Sequence, residues 1–162
     1  MITITTQREW NELPELFDVF TMIEIRSEEW IRIRKTPEKS HVLARDSSRV
    51  VARDSSRVVA RDSSRVEARD SSRVTAWEFS HVTARDSSRV LVMDSSHVVA
   101  WDSSRVTAWD SSHVEARDSS VCDNMSRNTQ IQAGGNTTLY LKTEPSLIDC
   151  EDSVNIIRDK SH

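Results

Sequence analysis

The stretch ARDSSRVVARDSSRVEARDSSRVTAWEFSHVT, residues 52–83, repeats every eight residues and decides the fold. Octads of the same kind run from Ala44 to Ser120, with the consensus A-(R/W)-D-S-S-(R/H)-V-x. A short repeat at a fixed period is typical of solenoids, in which each unit packs only on its neighbours. We therefore interpret the octad as the structural unit of the chain.

Three conformations of the octad can be compared. A helix is unsuitable, because eight residues at about 100° each overshoot two turns by roughly 80°, so the Val positions never form one face. Disorder would suit the Arg, Asp and Ser content, but a Val followed two places later by Ala is more regular than disorder requires. A strand fits best, since (R/H)-V-x-A-(R/W) alternates outward and inward while D-S-S supplies a turn.

One octad makes one strand and one corner, so two octads close a flattened coil. The predicted fold class is all-β, a β-solenoid (β-helix) of about seven coils with a partly helical N-terminal cap. The inward column is expected to contain the seventh-place Val, the first-place Ala and the second Ser of the turn. Because the chain has only two glycines, Gly134 and Gly135, the corners are expected to depend on Asp and Ser side chains.

The flanks differ from the regular array. The sequence predicts four segments, which are an N-terminal cap at 1–35, the regular solenoid at 36–120, degenerate coils at 121–156 and a mobile tail at 157–162.

Within the cap, a helix is expected from Gln7 to Phe17, with Pro14 as an obstacle inside it. Beyond Ser120 the repeat slips by one residue, and about three more half-coils are expected with Ile131, Leu139 and Leu147 at inward places.

Composition excludes several classes of partner. Between residues 36 and 120, 12 Arg and one Lys face 13 Asp and Glu, whereas a nucleic-acid surface needs an unbalanced basic stripe. The first residues have no apolar signal segment, and no stretch approaches 18 apolar residues, so no membrane partner is expected and a cytoplasmic protein is predicted.

The chain has two cysteines, Cys122 and Cys150, and the sequence does not decide whether they form a disulfide. Their spacing is not that of metal ligands.

Two outward surfaces follow from a coil of two octads, because alternate octads lie on opposite faces. One face is expected to carry an Arg ladder of Arg57, Arg73, Arg89 and Arg105, whose charge the corner Asp residues offset. The other is a candidate binding face composed of Trp77, His81, Met93, His97, Trp109 and His113. Exposed apolar rows usually mark an interface, but like residues also stack simply because repeats duplicate.

Neither a metal site nor a catalytic site is predicted. Like atoms of stacked strands lie about 4.8 Å apart, whereas Zn²⁺ donors about 2.1 Å from one ion lie closer together, and no third ligand type is in register with the His column. Ser, His and Asp occur as turn and strand residues of the repeat, so no catalytic residues and no cofactor are expected, and the chain is predicted not to be an enzyme.

The octad A-x-x-x-S-x-(V/L)-T resembles the repeat of bacterial ice nucleation proteins. The similar places are Ala68, Ser72, Val74 and Thr75, and again Ala100, Ser104, Val106 and Thr107. The segment LPELFDVFTMIEIR, residues 13–26, followed by octads also resembles octapeptide-repeat proteins of bacteria and their phages. The resemblance implies either ordering of water by Thr rows or self-assembly through Arg-bearing coils.

The predicted function is that of a structural scaffold that self-associates as a homo-oligomer, face to face or through its C-terminal end. The first alternative is a water-organising or ice-binding protein. It ranks second because only Thr75, Thr83 and Thr107 hold the eighth place as Thr within the octads. The second alternative is a carbohydrate- or protein-binding module that uses the Trp/His face.

Overall fold

The computed structural model describes residues 1–159 as a solenoid of about nine turns, built from two parallel β-sheets. From Arg49 to Ala116, each octad contributes one four-residue strand that begins at its sixth place. The described elements are, in chain order, β1 (Ile2–Ile4), α1 (Gln7–Asn11), β2 (Leu16–Ile25), β3 (Trp30–Ile33), β4 (Glu38–Ala44), β5 (Arg49–Ala52), β6 (Arg57–Ala60), β7 (Arg65–Ala68), β8 (Arg73–Ala76), β9 (His81–Ala84), β10 (Arg89–Val92), β11 (His97–Ala100), β12 (Arg105–Ala108), β13 (His113–Ala116), β14 (Val121–Asn124), β15 (Gln130–Ala133), β16 (Thr138–Leu141), β17 (Leu147–Cys150) and β18 (Asn155–Arg158).

The coil of two octads is confirmed by the strand pairing. Strand β1 and the even-numbered strands form a ten-stranded sheet, and the odd-numbered strands from β3 to β17 form an eight-stranded sheet. Within each sheet of the array, a residue lies opposite the residue sixteen places on, as His81 lies opposite His97. The predicted seven coils are too few, because the segments on both sides of the array wind into further coils of the same kind.

The core is a thin layer of small side chains between the two sheets. Ser96 and Val98 of one octad and Ala100, the first residue of the next, are each 0 % exposed, and the same three places are buried throughout the array. The predicted inward column is therefore confirmed. Because each coil adds the same small set of buried methyl groups, stability increases coil by coil along the axis.

The N-terminal helix is much shorter than the predicted span from Gln7 to Phe17. Helix α1 begins after Thr6, whose side chain forms a capping box with Glu9, and it is followed by a C-cap at Glu12. Pro14 cannot continue a helix, and the chain from Leu16 instead forms β2, which pairs with β4. The helix packs against β1 and β3 and buries Trp10, so it covers the N-terminal end of the core.

The C-terminal coils contain five strands after Ser120, more than the predicted three half-coils. The connections 125–129 and 142–146 are each one residue longer than the corners of the array. The second insertion turns Leu147 outward, where it is 54 % exposed, so its predicted inward place was wrong and Ile148 packs against the core instead. Ile157 and Arg158, predicted to lie in a mobile tail, are part of β18, and residues 160–162 of that tail lie outside the described residues.

Candidate functional site

The three His residues of the candidate binding face form one row on the eight-stranded sheet. His81, His97 and His113 begin β9, β11 and β13 and lie opposite one another in register. The rings of His97 and His113 stack with centroids 4.7 Å apart and an interplanar angle of 14°, while those of His81 and His97 are 5.8 Å apart. The repeat therefore brings three imidazoles into one column on the outside of the sheet.

The environment of His97 favours the neutral imidazole. Burial among its neighbours lowers the pKa of His97, and the adjacent His113 and His81 lower it further, while Glu115 acts in the opposite direction. The Nε2 atom of His97 lies 3.7 Å from Oε1 of Glu115. Glu115 was not among the predicted site residues. It is the third residue of β13 and occupies the eighth place of its octad.

A hydrogen bond fixes the tautomer of His113. Its Nδ1 lies 3.2 Å from Oε1 of Gln130, the residue opposite it on β15. Because an amide oxygen only accepts hydrogen bonds, Nδ1 of His113 is the donor, and Nε2 keeps its lone pair when the ring is neutral. Gln130 was also not predicted as part of the site.

The other three residues of the candidate binding face lie at the corner beside the His row. Trp77, Met93 and Trp109 each follow a strand of the ten-stranded sheet, at the corner that leads into the next His-bearing strand. Trp77 and Met93 are partly buried, Trp109 is 41 % exposed, and the guanidinium of Arg61 lies 5.7 Å from the ring centroid of Trp77. Phe79, which sequence reasoning missed, is 65 % exposed at the same corner, so this edge presents a discontinuous apolar row.

The predicted Arg ladder occupies the ten-stranded sheet. Its four members begin β6, β8, β10 and β12 in register and point outward, and within residues 1–159 none of them forms a salt bridge. The corner Asp carboxylates were expected to offset the positive charge of the ladder through ion pairs, and this expectation was wrong for these four residues. The corner Asp oxygens instead accept hydrogen bonds from backbone N–H groups of the neighbouring coil, as Asp70 does from Asp54.

A cationic cleft lies beside the first coils and was not predicted. The pairing of β2 with β4 is interrupted between Leu16 and Thr21, so the intervening residues arch away from the sheet. The resulting cleft of about 710 Å³ has Phe20 at its wall, with its ring edge-on to His41 at 4.7 Å. Its charged lining residues are Lys35, Glu38, Lys39, Arg57 and Arg73. The register shift lies outside the regular array, so the octad period does not predict this cleft.

The last coil of the solenoid is less covered than any coil of the array. Inward residues of the array are almost completely buried, whereas Ile148, Cys150 and Ile156 are only partly buried. Within residues 1–159, no strand pairs with the outer edges of β17 and β18. The two thiols nearby are both free, with Cys122 buried and Cys150 partly buried.

The fold and its outward columns define the chain as a β-solenoid repeat protein. Comparison with known proteins found no matching family model, no matching curated protein and no matching solved structure. Among residues 1–159, no helix has the length and apolar character needed to cross a membrane.

Proposed function

We propose that the chain is a non-enzymatic structural scaffold of the cytoplasm that associates with a second copy of itself through its last coil. The observation that carries this proposal is the contrast between the two ends of the core. At the N-terminal end, Trp10 of α1 and Ile4 of β1 are only 8 % and 2 % exposed. At the other end, Ile148 and Ile156 remain partly exposed.

The backbone of the last coil also offers unused hydrogen-bonding groups. Asn155 and Asp159 donate their N–H groups to Thr137 and Leu141 of the preceding coil, at 2.9 and 3.0 Å. Since N–H groups of a strand alternate between its two sides, those of Ile156 and Arg158 point to the open edge. An open edge of this kind is a template for pairing with another strand.

A second copy fits this surface better than an unrelated partner, because its last coil has the same width, the same two strands and the same small core. Pairing of two identical ends is isologous and closes on itself as a two-fold dimer. Helix α1 then covers both outer ends, so the assembly stops at two chains and does not extend into a fibre. The free thiols Cys122 and Cys150 support a reducing compartment for the scaffold.

The oligomeric state tests the proposal directly. Sedimentation equilibrium of the wild-type chain is expected to give twice the mass of one chain. The substitution Ile156→Lys places a charge at the end of the core and is expected to give a monomer with an unchanged circular dichroism spectrum. The matched control Leu147→Lys adds the same charge to the outward side of the same coil, where Leu147 is 54 % exposed, and is expected to remain dimeric.

Two outcomes would contradict the proposal. A wild-type chain that stays monomeric at its highest soluble concentration excludes self-association. A folded Ile156→Lys variant that remains dimeric moves the interface away from the last coil, to the face that contains Trp77, His97 and Trp109.

A binding module is the second candidate function, and the cleft near Phe20 favours it. Its aromatic wall and its excess of Lys and Arg suit an anionic carbohydrate, since sugars stack on aromatic rings and cations pair with acidic groups. Binding to an array of acidic glycans should be lost in Phe20→Ala and retained in Val19→Ala, because Val19 is 73 % exposed and does not line the cleft.

Ice binding has less support than either of these two functions. Thr75 and Thr107 are separated by Leu91 on one sheet, and Thr83 lies on the other.

A further inference from the structure

Three potential metal ligands lie together on the outer face of the eight-stranded sheet. His113 and Glu115 are two residues apart on β13, so their side chains point to the same side of the sheet. His97 lies directly opposite His113 on the neighbouring strand β11. Each of the three side chains is partly buried, and one ligand atom from each lies within 4.8 Å of the other two.

The distances are close to those of a tetrahedral metal site. Donors about 2.0–2.1 Å from a Zn²⁺ ion at tetrahedral angles lie roughly 3.4 Å from one another. The Nε2 atom of His97 and Oε1 of Glu115 are 3.7 Å apart, which is too long for a hydrogen bond and close to that ligand–ligand distance. One ring nitrogen of His113 lies within 4.8 Å of a ligand atom of each of the other two residues, so the three side chains are close enough to surround one ion.

The surroundings prepare both imidazoles for coordination. His113 donates Nδ1–H to Oε1 of Gln130 at 3.2 Å, which leaves the Nε2 lone pair available. A metal-bound His usually donates its second ring N–H to an oxygen acceptor in the same way. The ring of His97 stacks on that of His113 with centroids 4.7 Å apart, so both imidazoles stand on the same side of the sheet.

We propose that His97, His113 and Glu115 bind one divalent first-row transition metal ion such as Zn²⁺, with water as the fourth ligand. Two imidazoles favour Zn²⁺, Cu²⁺ or Ni²⁺ over the oxygen-preferring Mg²⁺ and Ca²⁺. The site differs from a ladder of His alone, because Glu115 comes from the adjacent outward column and supplies the third donor. The inference is independent of self-association, since the three residues lie in the middle of the solenoid, away from the last coil.

Titration with Zn²⁺ in competition with a chromophoric chelator tests the site, with Co²⁺ absorption as a second readout. The full-length chain is expected to bind one ion and to give Co²⁺ bands typical of a four-coordinate site with nitrogen and oxygen ligands. His97→Gln and Glu115→Gln should each weaken binding by at least the roughly 10–100-fold loss that removal of an outer-shell partner causes.

Glu67→Gln is the matched control, because Glu67 occupies the same octad place on the same sheet but lies beside Arg65 and Arg69 and has no adjacent His pair. The Glu67→Gln variant and the Ile156→Lys variant should both bind Zn²⁺ with the affinity of the wild-type chain. The proposal is overturned by a lack of saturable binding, by equal affinity in the wild-type chain and His97→Gln, or by thiolate charge-transfer bands that assign the ion to Cys150.

Discussion

The backbone N–H of Asp54 donates a hydrogen bond of 3.2 Å to Oδ2 of Asp70, which occupies the same corner one coil further along the axis. Both residues have a left-handed backbone, with φ of 53° and 56°. Asp70 therefore performs two functions at its corner, since it tolerates the positive φ better than most residues and links its coil to the preceding one.

Substitution of Asp70 separates these two contributions. Asp70→Ala is expected to lower the free energy of unfolding by about 1–2 kcal/mol, because Ala is strained at positive φ and leaves the N–H of Asp54 without this acceptor. Asp70→Asn keeps an acceptor and tolerates positive φ, so it should stay within about 0.5 kcal/mol of the wild-type chain. Asp70→Gly, which loses only the acceptor, should fall between them. Urea unfolding measures all three, and equal stability of the Ala and Asn variants would contradict this account.

Reversal of one charge in the Arg ladder is expected to stabilise the fold. Arg89 lies between Arg73 and Arg105, and like charges directly opposite one another on neighbouring strands are destabilising. Arg89→Glu should raise the free energy of unfolding by about 0.5–1 kcal/mol, and Arg89→Gln by less, because Gln only removes repulsion. Both gains should shrink in high salt, where surface charges are screened. A loss of stability in Arg89→Glu at low salt would show that the ladder is not repulsive.

Buried Ser hydroxyl groups should differ in their contribution to the free energy of unfolding. Within residues 1–159, the hydroxyl of Ser104 has no hydrogen-bond partner, whereas that of Ser96 donates to the carbonyl of Met93. Ser104→Ala is expected to be neutral or stabilising by up to about 1 kcal/mol, because it removes a buried group that water no longer solvates. Ser96→Ala should destabilise by about 1 kcal/mol. Thermal unfolding of the two matched variants measures the difference, and equal shifts in the two variants would contradict it.

The two thiols are expected to react at very different rates. Cys122 is completely buried, and this burial, with a smaller contribution from Asp123, raises its pKa to about 12. At pH 8 the reactive thiolate of Cys122 is therefore almost absent from the folded chain. A maleimide or disulfide reagent should modify the partly buried Cys150 first and Cys122 only after unfolding. Rapid labelling of Cys122 in a folded Cys150→Ser variant would show that the last coils open readily.

The sequence predicted the His row of the candidate site, but it did not predict the approach of Glu115 to that row. Residues sixteen apart stack in one column, so the row of His81, His97 and His113 follows from the period alone. Glu115 stands in the adjacent column, and its approach to His97 is diagonal between two strands. A search for a third ligand within the same column cannot find it. The repeat period contains no information about such diagonal side-chain distances.

The sequence by itself determined the strand, the corner, the inward Val, Ala and Ser columns and the two-octad coil, because a period of eight with alternating burial is compatible with few other structures. Only the tertiary structure decided how the irregular ends are built. Pro14 and the pairing of β2 with β4 shorten α1, and one extra residue in the connection 142–146 turns Leu147 outward. Where the repeat is lost, each position depends on long-range pairing with the neighbouring coil, which no local pattern specifies.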